Sequence, residues 1–419
     1  MKKFLKEVIK AAGIGLITII ILLLLLLLVN QIPQKCIKDN MKESLEHFKE
    51  HDTLYNVIPE LKCTEDDVIA DAVILSIIWY QDGSLEGTLV DKCYGGPNSV
   101  ADTVKSIENE LAANCEYSRY WHGYQMLYRI LLCFMNIQQI KIFLFGIFIL
   151  LFTALLIVFL HRKMYPLAIA SILAAIATML WSAFISLAHI QIFLIMCIVS
   201  IIAANKKLTA THYTMIGVCT AFFDFLTVGT LTLALPLLIE CVQDRDERRL
   251  RSLVKKSVFW LGGWAATFIM KFILTFNYAR GSIERSTIWM GSDAGSSLLG
   301  LKLNLGALLP FIESNLKAIT IIGIVSAGVA LFVYLFHKQE SNDLIEAMVF
   351  IIAIIYGRYI LLGQHSMTHY SFTYRSQFVV IICVVLMLSQ TNLAQFRRGV
   401  TKHATYHTNA MFKRRKDSR

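Results

Sequence analysis

The sequence predicts an all-α, polytopic integral membrane protein, and three observations carry that prediction. Of its 419 residues, 56% are hydrophobic and 17% charged, whereas soluble proteins average roughly 25% charged residues. Apolar stretches long enough to cross a bilayer recur along the chain; in lipid each must satisfy its own backbone hydrogen bonds, which here means helices. Lys and Arg crowd into alternate short turns and both tails, the pattern that orients membrane proteins with those turns in the cytoplasm. That pattern accounts for the net charge of +10 and the pI near 9.1, so no nucleic-acid partner is expected.

The segments follow in order. Lys2, Lys3, Lys6 and Lys10 precede an apolar run with seven consecutive leucines. It is longer than a secretory h-region and lacks a small-residue cleavage site, so residues 1–30 read as an uncleaved first span with a cytoplasmic N-terminus. Residues 31–140 form a long polar loop, expected outside. Its turn signals, Asp82-Gly83 and Gly95-Gly96-Pro97-Asn98, predict a small helical cap. Ile69 to Trp79 is apolar enough to dip into the interface, and Tyr117 to Ile140 reads as an amphipathic helix on the bilayer surface. Cys36, Cys63, Cys93 and Cys115 share this loop, allowing three disulfide connectivities that the sequence leaves open.

The bundle occupies residues 141–392. Spans are expected at about 141–160, 166–187 and 192–204, two short ones within 209–242 with Asp224 at their outer tip, and then 257–277, 318–336, 344–362 and 372–388. The segment 298–312 reads as re-entrant. Residues 393–419 form a basic cytoplasmic tail, which with eight Lys or Arg from Arg397 onward closes a ten-span topology with both termini inside.

Ionisable residues at membrane depth cost roughly 2.5–3.5 kcal/mol on insertion scales and tend to line cavities or pair. In this topology Asp224, Lys271, Arg280, Arg358, His365, His369 and Arg375 map to the outer half or outer rim, together with Asp66, Asp67, Asp71, Arg119 and His122 of the loop, where Tyr120 is a further binding candidate. The inner halves look almost bare of charge. Convergence of these residues would create one outward-facing polar cavity holding carboxylates and cations. Arg suits phosphate oxygens through its planar fork, and His can donate to phosphate or move a proton. His365 and His369, spaced i, i+4, would share a face of a helix. That spacing also suits zinc, but the intervening Ser-Met-Thr lacks the glutamate of a metalloprotease motif. No cofactor is called for, and a divalent metal stays open. Bland readings accompany each residue: Arg119 and Tyr120 as interfacial anchors, Lys271 as a snorkelling lysine, and Asp66 or Asp67 as a helix cap before Val68.

Asp66-Asp67 with Asp71, the run Arg119-Tyr120-Trp121-His122-Gly123-Tyr124, Phe222-Phe223-Asp224-Phe225-Leu226-Thr227, and His365 to His369 with Phe372-Thr373-Tyr374-Arg375 resemble a group of bacterial envelope membrane proteins over about residues 1–390. The architecture is similar to the GT-C superfamily of polyprenyl-phosphate-sugar glycosyltransferases. The resemblance implies an acidic base in the first outer loop, Asp71 or else Asp66 or Asp67. It also implies a phosphate side built from Arg358, His365, His369 and Arg375. The partners implied are a polyprenyl-phosphate-linked sugar donor, an envelope glycan or lipid acceptor, and the membrane lipid. A transporter or flippase of a polyprenyl-linked precursor and a scaffold of an envelope-synthesis complex are the rival readings.

Overall fold

The computed structural model describes residues 2–51, 55–56, 65–95, 99–278, 294–306 and 343–389. The chain is a helical membrane protein. Among the described residues five helices are long and apolar enough to cross a bilayer: α1 (Lys2–Asn30), α7 (Ile137–His161), α12 (Leu250–Thr275), α14 (Asp343–Leu361) and the closing segment α16 (Tyr370–Ser389). The first and second expected spans coincide with α1 and α7, and the ninth and tenth with α14 and α16. The span expected at 318–336 lies outside the described residues, as does Arg280.

Between α1 and α7 sits the cap. It comprises α2 (Lys38–Glu50), α3 (Val68–Trp79), α4 (Leu85–Val90), α5 (Ser99–Glu108) and α6 (Gln125–Leu131). Two short antiparallel ladders join them: β1 (Tyr55–Asn56) with β2 (Glu65–Asp66), and β3 (Lys92–Cys93) with β4 (Cys115–Glu116). α3 is apolar on nearly every side because it is buried: Val68, Ala72, Leu75 and Ile78 pack with Met41, Phe48, Val100 and Ile107 in one core. Expected to dip into the interface, α3 instead forms the centre of the cap.

Two local expectations change. The stretch from Tyr117 to Ile140 is not one surface helix. His122 takes a left-handed φ of 50°, and Gly123 lies so close to Phe222 that no side chain would fit there. Helix is therefore confined to α6, and a capping box at Asn136 starts α7 afresh. The aromatic run faces the bundle: Trp121 stacks on Phe222 at 5.1 Å and donates its Nε1–H to the Thr267 carbonyl at 2.7 Å.

The span expected at 166–187 also breaks. α8 (Tyr165–Ala177) ends at Thr178, which back-bonds to the Ala174 carbonyl; Met179 is left-handed, and a 3-10 segment, Leu180–Ile185, follows. Thr178, Ser182 and Ser186 compete for nearby backbone groups, and such residues end helices.

α9 (Ile190–Asn205), α10 (Ala210–Phe223) and α11 (Leu231–Gln243) fill the bundle core with α12 and α14. α10 and α12 touch backbone to backbone, because Gly217 meets the Trp260 carbonyl and Gly263 meets the Thr214 carbonyl. Small residues permit this approach in membranes, where no hydrophobic force drives helices together. Beyond them lie α13 (Ala294–Gly306), part of the stretch read as re-entrant, and α15 (Gly363–Thr368), against which α13 packs.

The end of the bundle that carries the basic turns, expected to be almost bare of charge at membrane depth, is not bare. Lys256 is bonded to Glu240 at 2.9 Å and to Glu247 at 2.6 Å, with all three buried. Hydropathy hides Glu240 because it sits near the end of an otherwise apolar α11.

α7 separates the cap end from the basic turn at Arg162-Lys163. With the cap outside, Glu86→Cys should react with a membrane-impermeant maleimide on intact cells, and Lys163→Cys after permeabilisation alone. The reverse pattern would invert the topology and place every candidate residue in the cytoplasm.

Candidate functional site

The deepest polar cluster joins the cap to α12. Asp91 follows α4 with a left-handed φ of 55°, a conformation Asp tolerates better than most residues. Its Oδ2 lies 3.0 Å from Lys271 Nζ and 3.0 Å from His122 Nδ1, and all three side chains are 0% exposed. Its Oδ1 accepts from Gln125 Nε2 at 2.8 Å and Gln81 Nε2 at 3.1 Å. Burial pushes the Asp91 carboxyl up, but Lys271 and His122 together hold it below its ordinary value. Burial takes the His122 imidazole below its usual range, with Asp91 opposing. Asp91 lies against the ring on its Nδ1 side, while Nε2 has no hydrogen-bond partner among the described residues. Tyr117 stacks on that ring at 5.2 Å, and Tyr120, Tyr124 and Phe225 close around it.

The next cluster sits where α10 breaks. Asp224 ends α10 and caps the turn after it, its Oδ1 accepting from Thr227 N at 2.9 Å and Thr227 Oγ1 at 2.6 Å. Gly229 lets the backbone pass directly beside the carboxylate. Across from it, Arg358 of α14 is buried; its Nη2 donates to the Leu226 carbonyl, and its Nη1 has no hydrogen-bond partner among the described residues. Asp224 and Arg358 are near enough to act on each other's charge. Both line a cavity of about 400 Å³ whose other walls include Leu233, Trp260, Trp264, Ile354 and Leu361.

On the far side of the same turn, His365 Nε2 bonds to the Phe225 carbonyl at 2.7 Å. His365 and His369 do share a face, with ring centroids 4.6 Å apart. Arg119, above the rings of Tyr117 and Tyr120, acts electrostatically on both histidines.

Asp71 and Arg375 belong to a neighbouring cluster. Asp71 Oδ2 pairs with Lys141 of α7 at 2.6 Å, and Oδ1 accepts from Leu187 N at 2.9 Å. Arg375 donates to Ser182 Oγ at 3.0 Å. His189 lies within electrostatic reach of both cations, and neither ring nitrogen has a hydrogen-bond partner among the described residues. Phe372 joins the two clusters, stacking on His189 at 5.8 Å and on His369 at 5.1 Å.

The structure therefore brings Arg119, Tyr120, His122, Asp224, Lys271, Arg358, His365 and His369 together and sets Asp71 and Arg375 beside them. Asp67 fills its plainer role, accepting from Ala70 N at 3.1 Å as the cap of α3. Asp66 lies in β2, and its side chain is outside the described residues. Asp91, Lys141 and His189 escaped the sequence reading. Asp91-Lys92 ahead of Gly95-Gly96-Pro97 looks like any polar turn, and Lys141 looks like the rim of a span. Among the described residues no group of three His, Cys, Asp or Glu side chains is placed to hold a metal ion.

Removing one partner of a buried charge pair leaves the other uncompensated, at about 3–5 kcal/mol. Lys271→Met should lower unfolding stability in detergent by about that amount, and adding Asp91→Asn should restore part of it. A double-variant loss equal to the sum of the Lys271→Met and Asp91→Asn losses would show that the pair is not coupled. Comparison with family models, curated proteins and solved structures finds no match, so the chemistry of this site rests on its own residues.

Proposed function

We propose that this protein is a GT-C-like glycosyltransferase, moving a sugar from a polyprenyl-phosphate carrier to an envelope glycan or lipid at the outer face of the membrane. One observation carries the reading: a buried arginine whose Nη1 has no hydrogen-bond partner among the described residues, Arg358, stands beside a buried carboxylate at the edge of a largely apolar cavity. An unpaired buried guanidinium donor is costly to leave unsatisfied, so a site that keeps one suits an anionic ligand. Apolar walls next to that donor suit a ligand that continues as hydrocarbon. A lipid phosphate has both parts. Arg358, Arg119, His365 and His369 supply the anion side.

The base role passes from Asp71 to Asp224. Asp71 is taken up by Lys141 at 2.6 Å and by the Leu187 N–H at 2.9 Å, contacts that hold α3 against its neighbours. Asp224 keeps Oδ2 toward Gly229 and lines the same cavity as Arg358, where an acceptor hydroxyl would meet the donor lipid. A positioned general base contributes roughly 10²- to 10⁴-fold in rate.

The rival transporter reading draws on the charges at the inner end, but those are mutually satisfied. Glu240 accepts from Leu208 N, Tyr213 Oη and Lys256, and Glu247 from Lys207, Ser252 and Lys256. Such a network suits a clamp better than a path along which a charged substrate must exchange partners.

Arg358→Met should weaken polyprenyl-phosphate binding by about 1.5–3 kcal/mol, the worth of a charge-assisted bond. Asp224→Asn should bind the carrier nearly as well as the native protein yet lose transfer in a reconstituted assay. Retained transfer by Asp224→Asn removes the base assignment; unchanged binding by Arg358→Met removes the anion site, and with it the glycosyltransferase reading.

A further inference from the structure

The cap holds a feature that the transferase reading does not use. Cys93 and Cys115 face each other directly across the β3–β4 ladder, with their sulfurs 2.7 Å apart. The ladder end is fixed by the Asn114 carboxamide, which accepts from Gly95 N at 2.8 Å and donates to the Gly95 carbonyl at 2.8 Å. Gly95 in turn lies flat against the Cys115 sulfur. Of the other two cysteines of this loop, Cys36 is exposed and Cys63 lies outside the described residues; among the described residues the ladder register sets Cys93 against Cys115.

We propose that Cys93 and Cys115 are joined by a disulfide that locks the strand bearing Asp91 to the strand leading to His122. The inference rests on the outer placement of the cap, which the proposed function shares, because thiols there meet an oxidising compartment. Formation needs an oxidised dithiol–disulfide exchange protein. The Cys115 thiolate, the more exposed of the two, attacks that protein's disulfide and expels one of its thiolates. Cys93, losing its proton, then attacks the mixed-disulfide sulfur at Cys115 and releases the second thiolate. Two protons and two electrons leave the cap, and the exchange protein departs as a dithiol.

The position of the bond gives it a purpose. One step along the ladder Tyr117 N donates to the Asp91 carbonyl at 3.0 Å, and Ser118 Oγ donates to the Val90 carbonyl at 3.1 Å. Asp91 and His122 both hold left-handed backbone conformations, which ordinary residues keep when their surroundings enforce them. A covalent link closing residues 93–115 removes open-chain conformations in which the two strands drift apart, and so keeps the carboxylate on the imidazole.

The test traps thiols in acid-quenched cells producing the full chain, alkylates them, and examines the unreduced digest by mass spectrometry. Peptides bearing Cys93 and Cys115 should appear as one linked species that separates on reduction, while Cys36 carries the alkyl group. Free Cys93 and Cys115 in a protein whose Glu86→Cys variant labels from outside would overturn the disulfide alone. Free thiols with Glu86→Cys closed to the impermeant reagent would overturn the outer placement and the proposed function with it. As a second reading, the Cys93→Ala/Cys115→Ala variant and the reduced native protein should melt lower than the oxidised protein by the same amount, about 5 °C or more. Melting unchanged by reduction would show that the link does not lock the cap.

Discussion

A carboxylate and an ammonium 180 residues apart in sequence, Asp91 and Lys271, meet at 3.0 Å with no exposure to solvent. Neither charge could sit where it does alone, since an isolated buried ion costs several kcal/mol. Their meeting therefore fixes the cap on the bundle in one seating. With the cap seated, Trp121 lies on the end of α10, Gly123 abuts Phe222, and the rings of Tyr117, Tyr120 and Tyr124 surround His122. The close approach of α10 and α12 through Gly217 and Gly263 is the other half of the constraint. It sets the height at which Lys271 reaches the cap and at which α10 breaks at Asp224.

The two ends of the bundle use buried charge differently. At the basic end Lys256, Glu240, Glu247 and Tyr213 answer each other's hydrogen-bonding needs, and the cluster ties α10, α11 and α12 together. At the cap end Arg358 Nη1, Thr230 Oγ1, His122 Nε2 and Tyr124 Oη are buried without hydrogen-bond partners among the described residues. Native interiors leave few polar groups in that state, and the exceptions call for a reason. Satisfaction, more than the number of charges, separates a structural cluster from one able to receive a ligand.

Much of the helical plan was legible because lipid enforces it. Apolar runs of sufficient length at α1, α7 and α14, and basic turns after α7 and α9, follow from backbone desolvation and from charge asymmetry. The i, i+4 spacing of His365 and His369 was legible for the same kind of reason, since a helix puts such residues on one face. What escaped was pairing over distance. Lys271 read as a cavity-lining or a snorkelling lysine, because its partner is a loop aspartate that sequence places beside a glycine-rich turn. Asp71 read as a candidate base because Lys141 looks like an ordinary rim residue. The aromatic run at 117–124 read as a surface helix because amphipathic composition does not say which apolar surface it meets, and here that surface is α10 and α12.

The separation of Asp91 from Lys271 also dictates an order of events during synthesis. The cap leaves the ribosome well before α12, and until Lys271 emerges the buried seat of Asp91 has no ammonium to balance it. At 5–20 residues per second that interval is on the order of ten to forty seconds. The nascent cap must wait through it with its β3–β4 ladder undocked and its aromatic run facing lipid headgroups or a chaperone. The last turn of α12 is thus the point at which the first loop of the protein can finish folding.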